Sequence, residues 1–516
     1  MLDLGRTFLQ SVERSPDALA LVDGARRLDY AGWHGWIAQV AHGLRGLGAG
    51  RGERVLAVLQ NRSEMATVHW ACQFLGAVMV PLNWRAKPEE VGYVLGDAQP
   101  VVALFEEVSA DAVRRAPGIG AVSRIAVGCA AQGDELAFDE LGAGGDVPAL
   151  RPEAGAEDHS LLLYTSGTTG NPKGVPRRHR HERAAALGHV AQNLYRQGER
   201  TLGVMPLYHT MGVRSLLSMA IVDGLFVCMP RFDARQALQV IEAEDISCLY
   251  LVPTLYHDML AALEREATDL STVCKLGFAG APMPQALLQR LQQVFQPDLF
   301  VNHYGSSEVY TVSIEQNAAA RPGSAGRAGV NTRLRVIRLD AAGPEDEAAP
   351  GEEGQIIADL SGDEAFEGYW RRPDADAKAL RDGWYLTGDT GYRDVRGDLY
   401  VTGRVDDMII SGGENISPVE IESVLSLHAA VDEVAVVGLP DERWGQQVAA
   451  FVTCRAPVDA EELDAHCRAS DLLNFKRPRR YVFVRAIPKS PVGKILRRKL
   501  LAGEYELASG APTDKP

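Results

Sequence analysis

Leu161-Leu-Leu-Tyr-Thr-Ser-Gly-Thr-Thr-Gly-Asn-Pro-Lys-Gly-Val175 carries the strongest local signal in the chain. Its apolar start predicts the end of a buried strand, and the hydroxyls and glycines that follow predict a loop that ends at Lys173. Glycines let the backbone approach a ligand closely, and successive N–H groups in such a loop form a concave anion site. Hydroxyl donors and an ammonium group suit the same ligand. The stretch therefore predicts a phosphate cradle, although the Walker pattern GxxxxGK[ST] is absent.

Length and composition are those of an ordinary globular protein with several domains. The chain has 516 residues, 46% of them hydrophobic and 23% charged, and this length predicts about three or four domains. Its formal net charge of −15 argues against general binding to nucleic acid or to anionic membranes, because both require a basic surface. An anionic substrate must therefore be bound by a local basic patch.

The cysteines and the N-terminus predict a cytoplasmic protein. Seven cysteines are scattered along the chain and none is spaced as CxxC, which is typical of free thiols rather than of disulfides or a zinc site. Residues 1–17 carry charges throughout and lack the apolar core of a signal peptide. No run approaches the roughly 18 apolar residues of a membrane span. We therefore expect a cytoplasmic location, no membrane span and no nucleic-acid partner.

Strand and helix patterns divide the chain into segments. Short apolar strands alternate with amphipathic helices over residues 1–160 and again over 161–320, which predicts two α/β subdomains with parallel strands. Residues 321–404 contain short strands split by Gly-, Pro- and Asp-rich turns, which predict a small β-barrel. We therefore expect a large N-terminal domain over 1–404 and a compact α+β domain over 405–516.

Three strings resemble one known family. YTSGTTGNPKG closely resembles the phosphate-loop signature of the adenylate-forming superfamily, which contains acyl-CoA synthetases, adenylation domains and luciferases. GRVDDMIISGGENISPVEIE (403–422) and FKRPRRY (475–481) extend the likeness to the C-terminal domain, and it looks closest to bacterial aryl-CoA ligases of the 4-chlorobenzoate:CoA ligase type. The resemblance implies two doubly wound α/β subdomains, a small β-barrel, and a mobile α+β C-terminal domain.

The string Asn302-His-Tyr-Gly-Ser-Ser-Glu308 resembles the part of the family's ATP site that follows a strand. There Tyr304 would stack on the adenine. Glu308 offers the hard oxygen that Mg²⁺ prefers, with ATP phosphates completing the coordination shell. The family usually has Thr where this chain has Ser307, a change that keeps the hydroxyl.

Two further motifs complete the ATP site that the resemblance implies. Gly277–Met283 is a small-residue strand end against which adenine and the acyl group can press. Asp389 matches the carboxylate that binds the ribose hydroxyls, and Arg404 matches its companion contact. The full expected ATP and AMP set is Thr165, Ser166, Gly167, Thr168, Thr169, Gly170, Lys173, Gly280, Ala281, Pro282, Tyr304, Gly305, Ser306, Ser307, Asp389 and Arg404.

The C-terminal domain resembles the mobile part of the family's active site. Pro488-Lys-Ser-Pro-Val-Gly-Lys494 matches the catalytic-lysine motif, in which the ammonium stabilises charge as carboxylate and α-phosphate bond. Asp406 matches the hinge between the two domains. The segment 475–499 has ten Lys or Arg and no acidic residue, which suggests a phosphorylated ligand such as coenzyme A. By motif match, the expected CoA-binding residues are Arg85, Trp444, Phe475, Arg477 and Arg479.

The resemblance also places an acyl pocket. Its residues are His209, Met211, Tyr250, Ala279, Gly280, His303, Gly305 and Tyr310. His209 is also expected to act in catalysis, between the acyl pocket and the thiol tunnel. This set holds no Lys or Arg, which disfavours a dicarboxylate and favours a flat apolar acid. His303 and Tyr310 leave open a substituent that forms hydrogen bonds, as in a hydroxybenzoate.

These expectations lead to one predicted function. The chain should be an ATP-dependent carboxylate:CoA ligase that uses Lys494, His209 and Glu308, with Glu308 as the metal ligand and ATP, Mg²⁺ and CoA as cofactor and co-substrates. A benzoate-type acid is the favoured substrate. A medium-chain or other apolar acyl-CoA synthetase and an enzyme that loads a carrier protein are the alternatives. The sequence leaves open whether the protein is a homodimer. A non-enzymatic protein that binds nucleic acid through the basic segment is the remaining alternative.

Overall fold

The computed structural model describes residues 3–142, 149–165, 172–265, 267–489 and 495–508 of the chain, and it describes the backbone but not the side chain of Asn415. Several expected site residues lie outside these ranges. They are Ser166, Gly167, Thr168, Thr169, Gly170 and Lys494.

The described residues form helices and strands in regular alternation over most of the chain. The helices are α1 (Leu4–Arg14), α2 (Tyr30–Gly46), α3 (Ser63–Leu75), α4 (Pro88–Ala98), α5 (Glu107–Arg114), α6 (His179–Gln192), α7 (Thr210–Ile221), α8 (Ala234–Ala243), α9 (Pro253–Leu263), α10 (Gln285–Phe295), α11 (Pro373–Ala379), α12 (Pro418–Leu425), α13 (Ala460–Ala469) and α14 (Arg497–Leu501). The strands are β1 (Leu19–Asp23), β2 (Arg26–Asp29), β3 (Arg54–Val58), β4 (Val78–Pro81), β5 (Val102–Glu106), β6 (Ser123–Val127), β7 (Leu136–Ala137), β8 (His159–Thr165), β9 (Lys173–Arg178), β10 (Arg200–Gly203), β11 (Leu225–Cys228), β12 (Cys248–Leu251), β13 (Lys275–Phe278), β14 (Leu299–Tyr304), β15 (Ser313–Glu315), β16 (Arg327–Ala328), β17 (Leu334–Ile337), β18 (Gly354–Asp359), β19 (Leu380–Arg381), β20 (Trp384–Arg393), β21 (Leu399–Arg404), β22 (Ile409–Ser411), β23 (Glu414–Ile416), β24 (Val431–Asp441), β25 (Gly445–Cys454) and β26 (Arg480–Phe483).

Two large sheets form the N-terminal domain. A seven-stranded sheet has the order β7-β6-β5-β3-β4-β8-β9, and its pairs are parallel except for the antiparallel pair β8 and β9. A nine-stranded sheet has the order β16-β15-β14-β13-β12-β10-β11-β1-β2, with a parallel centre and antiparallel pairs at both edges. Parallel neighbours require crossover helices, and the alternating sequence supplies them. The predicted α/β class is confirmed.

The sheets divide the chain differently from the predicted boundary at residue 160. Strands β1 and β2 come from the first 29 residues but join the nine-stranded sheet, while β8 and β9, up to residue 178, complete the seven-stranded one. The predicted subdomains 1–160 and 161–320 are therefore wrong as sheet boundaries. Short apolar strands carry no local mark of the sheet that they join, because that choice is made by partners far away in sequence.

Apolar side chains between the two sheets form the largest core cluster. Helices α1, α2, α3 and α7 contribute to it together with strands of both sheets. Phe8 of α1 lies at its centre, with ring centroids 5.3 Å from Trp33 and 4.8 Å from Trp70. The core therefore holds both sheets in one domain.

Helix α3 shows how a tertiary contact can replace a local cap. Ser63 is its first residue, and the side chain of the N-cap residue Arg62 makes no capping bond. Asp23 of β1 instead accepts hydrogen bonds from the Ser63 N–H and hydroxyl, both at 2.8 Å. A carboxylate at the positive end of the helix suits its dipole.

Two smaller antiparallel-rich sheets follow. In the first, β20 pairs with β18 on one side and with β19 and β21 on the other, and β17 continues the ladder from β18. Among the described strands this ladder is open, so the sheet is not closed into the predicted barrel. The second has the order β23-β22-β25-β24, with β26 parallel to β25. Asp406 is exposed in the 3-10 turn Val405–Asp407, which connects the two sheets. None of the described helices has the length and apolar character needed to cross a membrane.

Candidate active site

The residues that flank the predicted phosphate cradle face each other across two strands. Thr165 ends β8 and pairs with Lys173, the first residue of β9. The Thr165 hydroxyl donates to the Lys173 carbonyl oxygen at 3.4 Å. The Lys173 ammonium lies 4.1 Å from the centroid of the Tyr369 ring, within cation–π range. Both ends of the cradle are therefore held by the seven-stranded sheet, and the Lys173 ammonium lies at its C-terminal end.

The turn after β14 presents the predicted metal ligand. Gly305 must be glycine, because a Cβ there would lie 2.2 Å from the Tyr310 carbonyl oxygen. The Ser306 hydroxyl accepts from the N–H groups of Glu308 at 3.2 Å and of Val309 at 3.4 Å. The Glu308 side chain is buried, and its Oε1 accepts from the Tyr369 hydroxyl at 2.7 Å. Ser306 thus closes a tight turn that fixes the direction of the Glu308 backbone.

Glu308 suits the magnesium ion that the resemblance implies. A carboxylate oxygen is the hard ligand that Mg²⁺ prefers. Within the described ranges, no group of three or more His, Cys, Asp or Glu could hold a metal by itself. The ion would therefore take its other ligands from ATP phosphates and water, as is usual for magnesium at nucleotide sites.

Three residues of the predicted nucleotide site meet at one point. The Tyr304 hydroxyl donates to Asp389 Oδ2 at 2.6 Å, and the Arg404 guanidinium donates to Asp389 Oδ1 at 2.8 Å. Burial and the Asp389 carboxylate raise the pKa of Tyr304 well above its usual value, so the phenol stays a donor. Burial lowers the pKa of Arg404, but the charge and hydrogen bond of Asp389, together with Tyr385 and Tyr304, more than offset this, so the net direction is upward. Asp389 thus accepts hydrogen bonds from two donors, one on each carboxylate oxygen.

The small-residue turn after β13 brings the nucleotide and acyl regions together. Gly280 has φ of +84°, a value that side chains disfavour. A Cβ on Gly280 would lie 3.4 Å from Val252 and 3.9 Å from the Met211 sulfur of the predicted acyl pocket. Ala281 and Pro282 continue the turn at the surface. The backbone at Gly280 is therefore close enough for an acyl group to pack against it.

A buried arginine outside the predicted set supports the Glu308 turn. Arg177 of β9 donates to the Glu308 carbonyl oxygen at 3.0 Å and to that of Ser307 at 3.5 Å. Its Nε lies 2.8 Å from Glu182 Oε1 in an ion pair whose side chains are both fully buried. The guanidinium also lies 4.1 Å from the Tyr310 ring centroid. Arg177 therefore joins the cradle strand, the metal-ligand turn and the acyl pocket.

The predicted acyl-pocket residues are mostly buried and adjacent. Met211, Tyr250, His303 and Tyr310 are each at most 3% exposed, and the centroids of the Tyr250 and His303 rings are 5.0 Å apart. His209 is the N-cap of α7, where its Nδ1 accepts from the Met211 N–H at 3.4 Å. Tyr250 and His303 come from the ends of β12 and β14, Met211 comes from the start of α7, and Tyr310 lies in the turn after β14.

Two features of the pocket differ from the sequence-based picture. Tyr310 was named as a residue that leaves open a substituent that forms hydrogen bonds, but its own hydroxyl donates to Glu182 Oε2 at 3.2 Å. The pocket was expected to lack a cation, yet the Arg214 guanidinium lies 5.7 Å from the Tyr250 ring centroid and 5.3 Å from that of Tyr310. Arg214 donates to the Thr311 hydroxyl at 2.9 Å and to the Tyr310 carbonyl at 2.8 Å. A buried charge therefore lies behind the rings.

The predicted CoA residues lie mostly at the surface. Trp444 is 42% exposed and Phe475 is 41% exposed. Arg479 and Arg85 are also exposed, and the Arg85 guanidinium lies 3.6 Å from the Trp84 ring centroid. Arg477 differs, because it forms an ion pair with Asp464 and a 3.2 Å hydrogen bond with Asn474. Its guanidinium is already engaged within the C-terminal domain.

Family models match most of the chain. The AMP-binding enzyme model covers residues 8–370, and the AMP-binding enzyme C-terminal domain model covers residues 420–494. The chain belongs to the AMP-binding enzyme family. It is 34% identical over 511 residues to a 4-chlorobenzoate–CoA ligase of Arthrobacter sp., covering 98% of this chain and 96% of the relative. It is 33% identical to a long-chain-fatty-acid–CoA ligase of Mycobacterium tuberculosis, covering 97% and 98%.

A solved structure agrees with this assignment. The anthranilate CoA ligase in complex with anthranoyl-AMP matches with a TM-score of 0.90 and 27% identity, over 97% of each chain. The AMP-binding enzyme described here is an ATP-dependent, AMP-forming acid:CoA ligase that uses ATP, Mg²⁺ and coenzyme A. The predicted superfamily, its likeness to aryl-CoA ligases and the enzyme class are confirmed.

Sequence reasoning missed five residues that the structure places at the site. They are Tyr369, Arg177, Arg214, His189 and Asn193. Tyr369 lies in a Gly-Tyr-Trp string beside a turn, which is the one local signal that could have drawn attention to it. The other four sit in ordinary helical or strand contexts, and only their buried contacts identify them.

Proposed function

We propose that this AMP-binding enzyme activates a benzoate-type aromatic acid, first as the acyl adenylate and then as the CoA thioester. The proposal rests on three buried rings that contact one another. They belong to His189, Tyr250 and His303, and their centroids are 4.8 to 5.1 Å apart. Flat rings favour a flat ligand, because offset and edge contacts between rings add to the burial of apolar area. The ligase relative named for 4-chlorobenzoate supports the same substrate class.

In the first half-reaction a substrate carboxylate oxygen bonds to the α-phosphorus of ATP, and the bond to the bridging oxygen breaks to release pyrophosphate. Lys173 and the cradle N–H groups would hold the phosphates, and Lys494 would stabilise charge on the carboxylate and α-phosphate. Glu308 would hold Mg²⁺, which when bound neutralises phosphate charge. Asp389 would accept from the ribose hydroxyls while Tyr304 and Arg404 fix its orientation.

In the second half-reaction the CoA sulfur bonds to the acyl carbon, and the bond to the AMP oxygen breaks. The thiol proton is released to solvent, and AMP leaves with the electron pair of the broken bond. The C-terminal domain would turn about Asp406 between the two steps, removing Lys494 and bringing Arg479, Trp444 and Phe475 to the nucleotide end of CoA. No side chain is acylated in this scheme, so no nucleophilic Ser or Cys is needed.

A panel of acids tests the substrate class. We expect pyrophosphate release with benzoate to exceed release with octanoate, measured as kcat/KM at fixed ATP. A medium-chain enzyme would show the reverse order, and that result would remove the aryl proposal.

The lysine variant tests the division of labour between the half-reactions. Lys494→Ala should slow adenylate synthesis about 10²- to 10³-fold, the usual effect of removing one group that stabilises transition-state charge. Thioester formation from preformed acyl adenylate should change little, because the lysine is then away from the reacting atoms. Lys489→Ala is the matched control, since Lys489 already pairs with Glu433. Equal slowing of both half-reactions would contradict domain alternation.

We infer in addition that the ligase works in the cytoplasm and propose a homodimer as its assembly. All seven cysteines are free thiols, which suits a reducing compartment. Cell fractionation and light scattering of the purified protein check these two points.

A further inference from the structure

Three rings of the acyl pocket form a buried polar cluster. His189 comes from α6, Tyr250 from β12 and His303 from β14, and each is at most 3% exposed. The centroid distances are 4.8 Å from His189 to Tyr250, 5.1 Å from His189 to His303 and 5.0 Å from Tyr250 to His303. Because the three rings are buried, each of their donors and acceptors is expected to have a hydrogen-bond partner.

Asn193 determines which nitrogen of each histidine carries the proton. Its Nδ2 donates to the His189 carbonyl oxygen at 2.8 Å, and because a carbonyl only accepts, the orientation of the amide is fixed. The same Nδ2 lies 3.0 Å from His189 Nδ1, so that ring nitrogen accepts. Asn193 Oδ1 lies 3.2 Å from His303 Nε2, so that ring nitrogen donates.

Both histidines are neutral near pH 7. Burial lowers the pKa of His189 and of His303 well below the ordinary value. The positive charge of nearby Arg214 lowers both pKa values further, by a smaller amount. A neutral imidazole has one N–H and one bare nitrogen. His189 therefore carries its proton on Nε2, and His303 has a bare Nδ1.

The remaining polar atoms of the cluster have no protein partner. Over the described part of the chain, His189 Nε2, His303 Nδ1 and the Tyr250 hydroxyl are buried and make no hydrogen bond. His189 Nε2 is a donor, His303 Nδ1 is an acceptor, and the Tyr250 hydroxyl can donate or accept. Buried polar groups are normally paired, so this combination is what a ligand able both to donate and to accept would complete.

The charges around the cluster favour a neutral partner. Arg177 and Arg214 are balanced by Glu182 and Glu364, all four of them buried. Arg214 Nε also lacks a partner among the described residues, and a hydroxyl oxygen or a water can accept from it. A second carboxylate would add one unbalanced charge to a buried region, whereas a hydroxyl leaves the balance unchanged.

We propose that His189, Tyr250 and His303 form a specificity subsite for a hydroxyl substituent on the aromatic acid. The substrate class is thus a hydroxyl-substituted aromatic acid rather than a halogenated or unsubstituted one. A chlorine or methyl group cannot donate a hydrogen bond, and it would leave the three groups unpaired. This inference rests on the proposed aryl function, and it narrows that function to one chemical class.

The test compares matched substrates. The 2-, 3- and 4-hydroxybenzoates are each measured against the methyl and fluoro analogues with the same substitution, and against benzoate, by pyrophosphate release. At least one hydroxy isomer should exceed its own analogues in kcat/KM by about tenfold to a hundredfold, because the analogues leave buried groups unpaired. If benzoates are activated but no hydroxy isomer has this advantage, the subsite is overturned. If octanoate alone is activated, the aryl function itself has failed.

Two tyrosine variants show whether the advantage comes from this subsite. Tyr250→Phe removes a hydroxyl that has no protein partner, so the variant should fold with an unchanged or higher melting temperature and lose about tenfold of the hydroxy advantage. Tyr256→Phe is the matched control, because its hydroxyl donates to the carbonyls of Leu249 and Gly277. That variant should melt earlier and keep the wild-type preference. A preference unchanged in Tyr250→Phe, or lost equally in both variants, contradicts the proposal.

Discussion

Tyr369 contacts two charged residues of the predicted ATP site, Glu308 and Lys173. Its hydroxyl donates to Glu308 at 2.7 Å, while the Lys173 ammonium sits 4.1 Å from the centroid of its ring. Burial and the Glu308 carboxylate raise the pKa of Tyr369 above its usual value, so it remains a donor. One side chain thereby orients a carboxylate through its edge and a cation through its face.

Replacing this hydroxyl should weaken adenylation without removing the ring. We expect Tyr369→Phe to lower kcat/KM for ATP roughly tenfold to a hundredfold, because a hydrogen bond to a charged group contributes about 1.5–3 kcal/mol. Pyrophosphate release at saturating acid measures the effect. Tyr392→Phe is the control, since that ring stacks on Tyr400 in the smaller antiparallel sheet. An unchanged kcat/KM for ATP in Tyr369→Phe would show that the contact does not position Glu308.

At the scale of elements, strand β9 and helix α6 support the turn that follows β14. Arg177 of β9 reaches the carbonyls of that turn and pairs with Glu182 of α6, and neither side chain is exposed. A buried pair of this kind contributes little net stability, but breaking it leaves one charge without compensation. Removing both Arg177 and Glu182 should therefore destabilise the protein less than removing only one of them.

Paired substitutions test this arrangement. Arg177→Met should lower the free energy of unfolding by about 3–5 kcal/mol, and adding Glu182→Gln should restore much of the loss. Urea unfolding followed by circular dichroism gives both values. Arg178→Met is the neighbouring control, because its pair with Glu367 is partly exposed and should contribute at most about 1 kcal/mol. A double variant as unstable as Arg177→Met alone would contradict the account.

Within the described part of the molecule, five histidines are buried in the neutral form. Burial lowers the pKa of His69 to about 3, of His179 to about 4 and of His181 to about 2, and it holds His189 and His303 well below the ordinary value. In the unfolded chain the same side chains titrate near pH 6.5. Below that pH the unfolded state binds protons that the native state does not.

Stability should therefore fall with acid in a defined window. It is fully present above about pH 6.5 and is lost as the pH drops from there towards the folded pKa values, by up to about 1.4 kcal/mol per pH unit for each histidine. The melting temperature between pH 8 and pH 5 measures this loss. His69→Gln should reduce the slope, while His42→Gln, at an exposed position, should not. A melting temperature that is constant down to pH 5 would contradict the neutral burial of these rings.

Much of the chemistry could be predicted from contiguous strings. Lys173, Glu308, Asp389 and Arg404 each lie in a short motif whose residue types suit phosphate, magnesium or ribose, and the structure brings the last two within 2.8 Å. Tyr304 and Asp389 were both named as well, although they are 85 residues apart. The roles of these residues stay predictions, as do those of Lys494, Asp406 and the CoA residues. Local residue type determined the phosphate cradle, because a loop that binds phosphate needs its own glycines, hydroxyls and cation. The other assignments rest on the resemblance of their strings to the family.

Only the tertiary structure determined which residues contact one another across the site. Arg177, Arg214, His189 and Asn193 have no distinctive neighbours in sequence, and each gains its role from a contact made across elements. The same holds for β1, which joins a sheet whose other central strands begin at residue 200. Sheet ladders and buried ion pairs are formed by groups far apart along the chain. Their free energy depends on the environment that the fold creates, so residue order alone does not specify them.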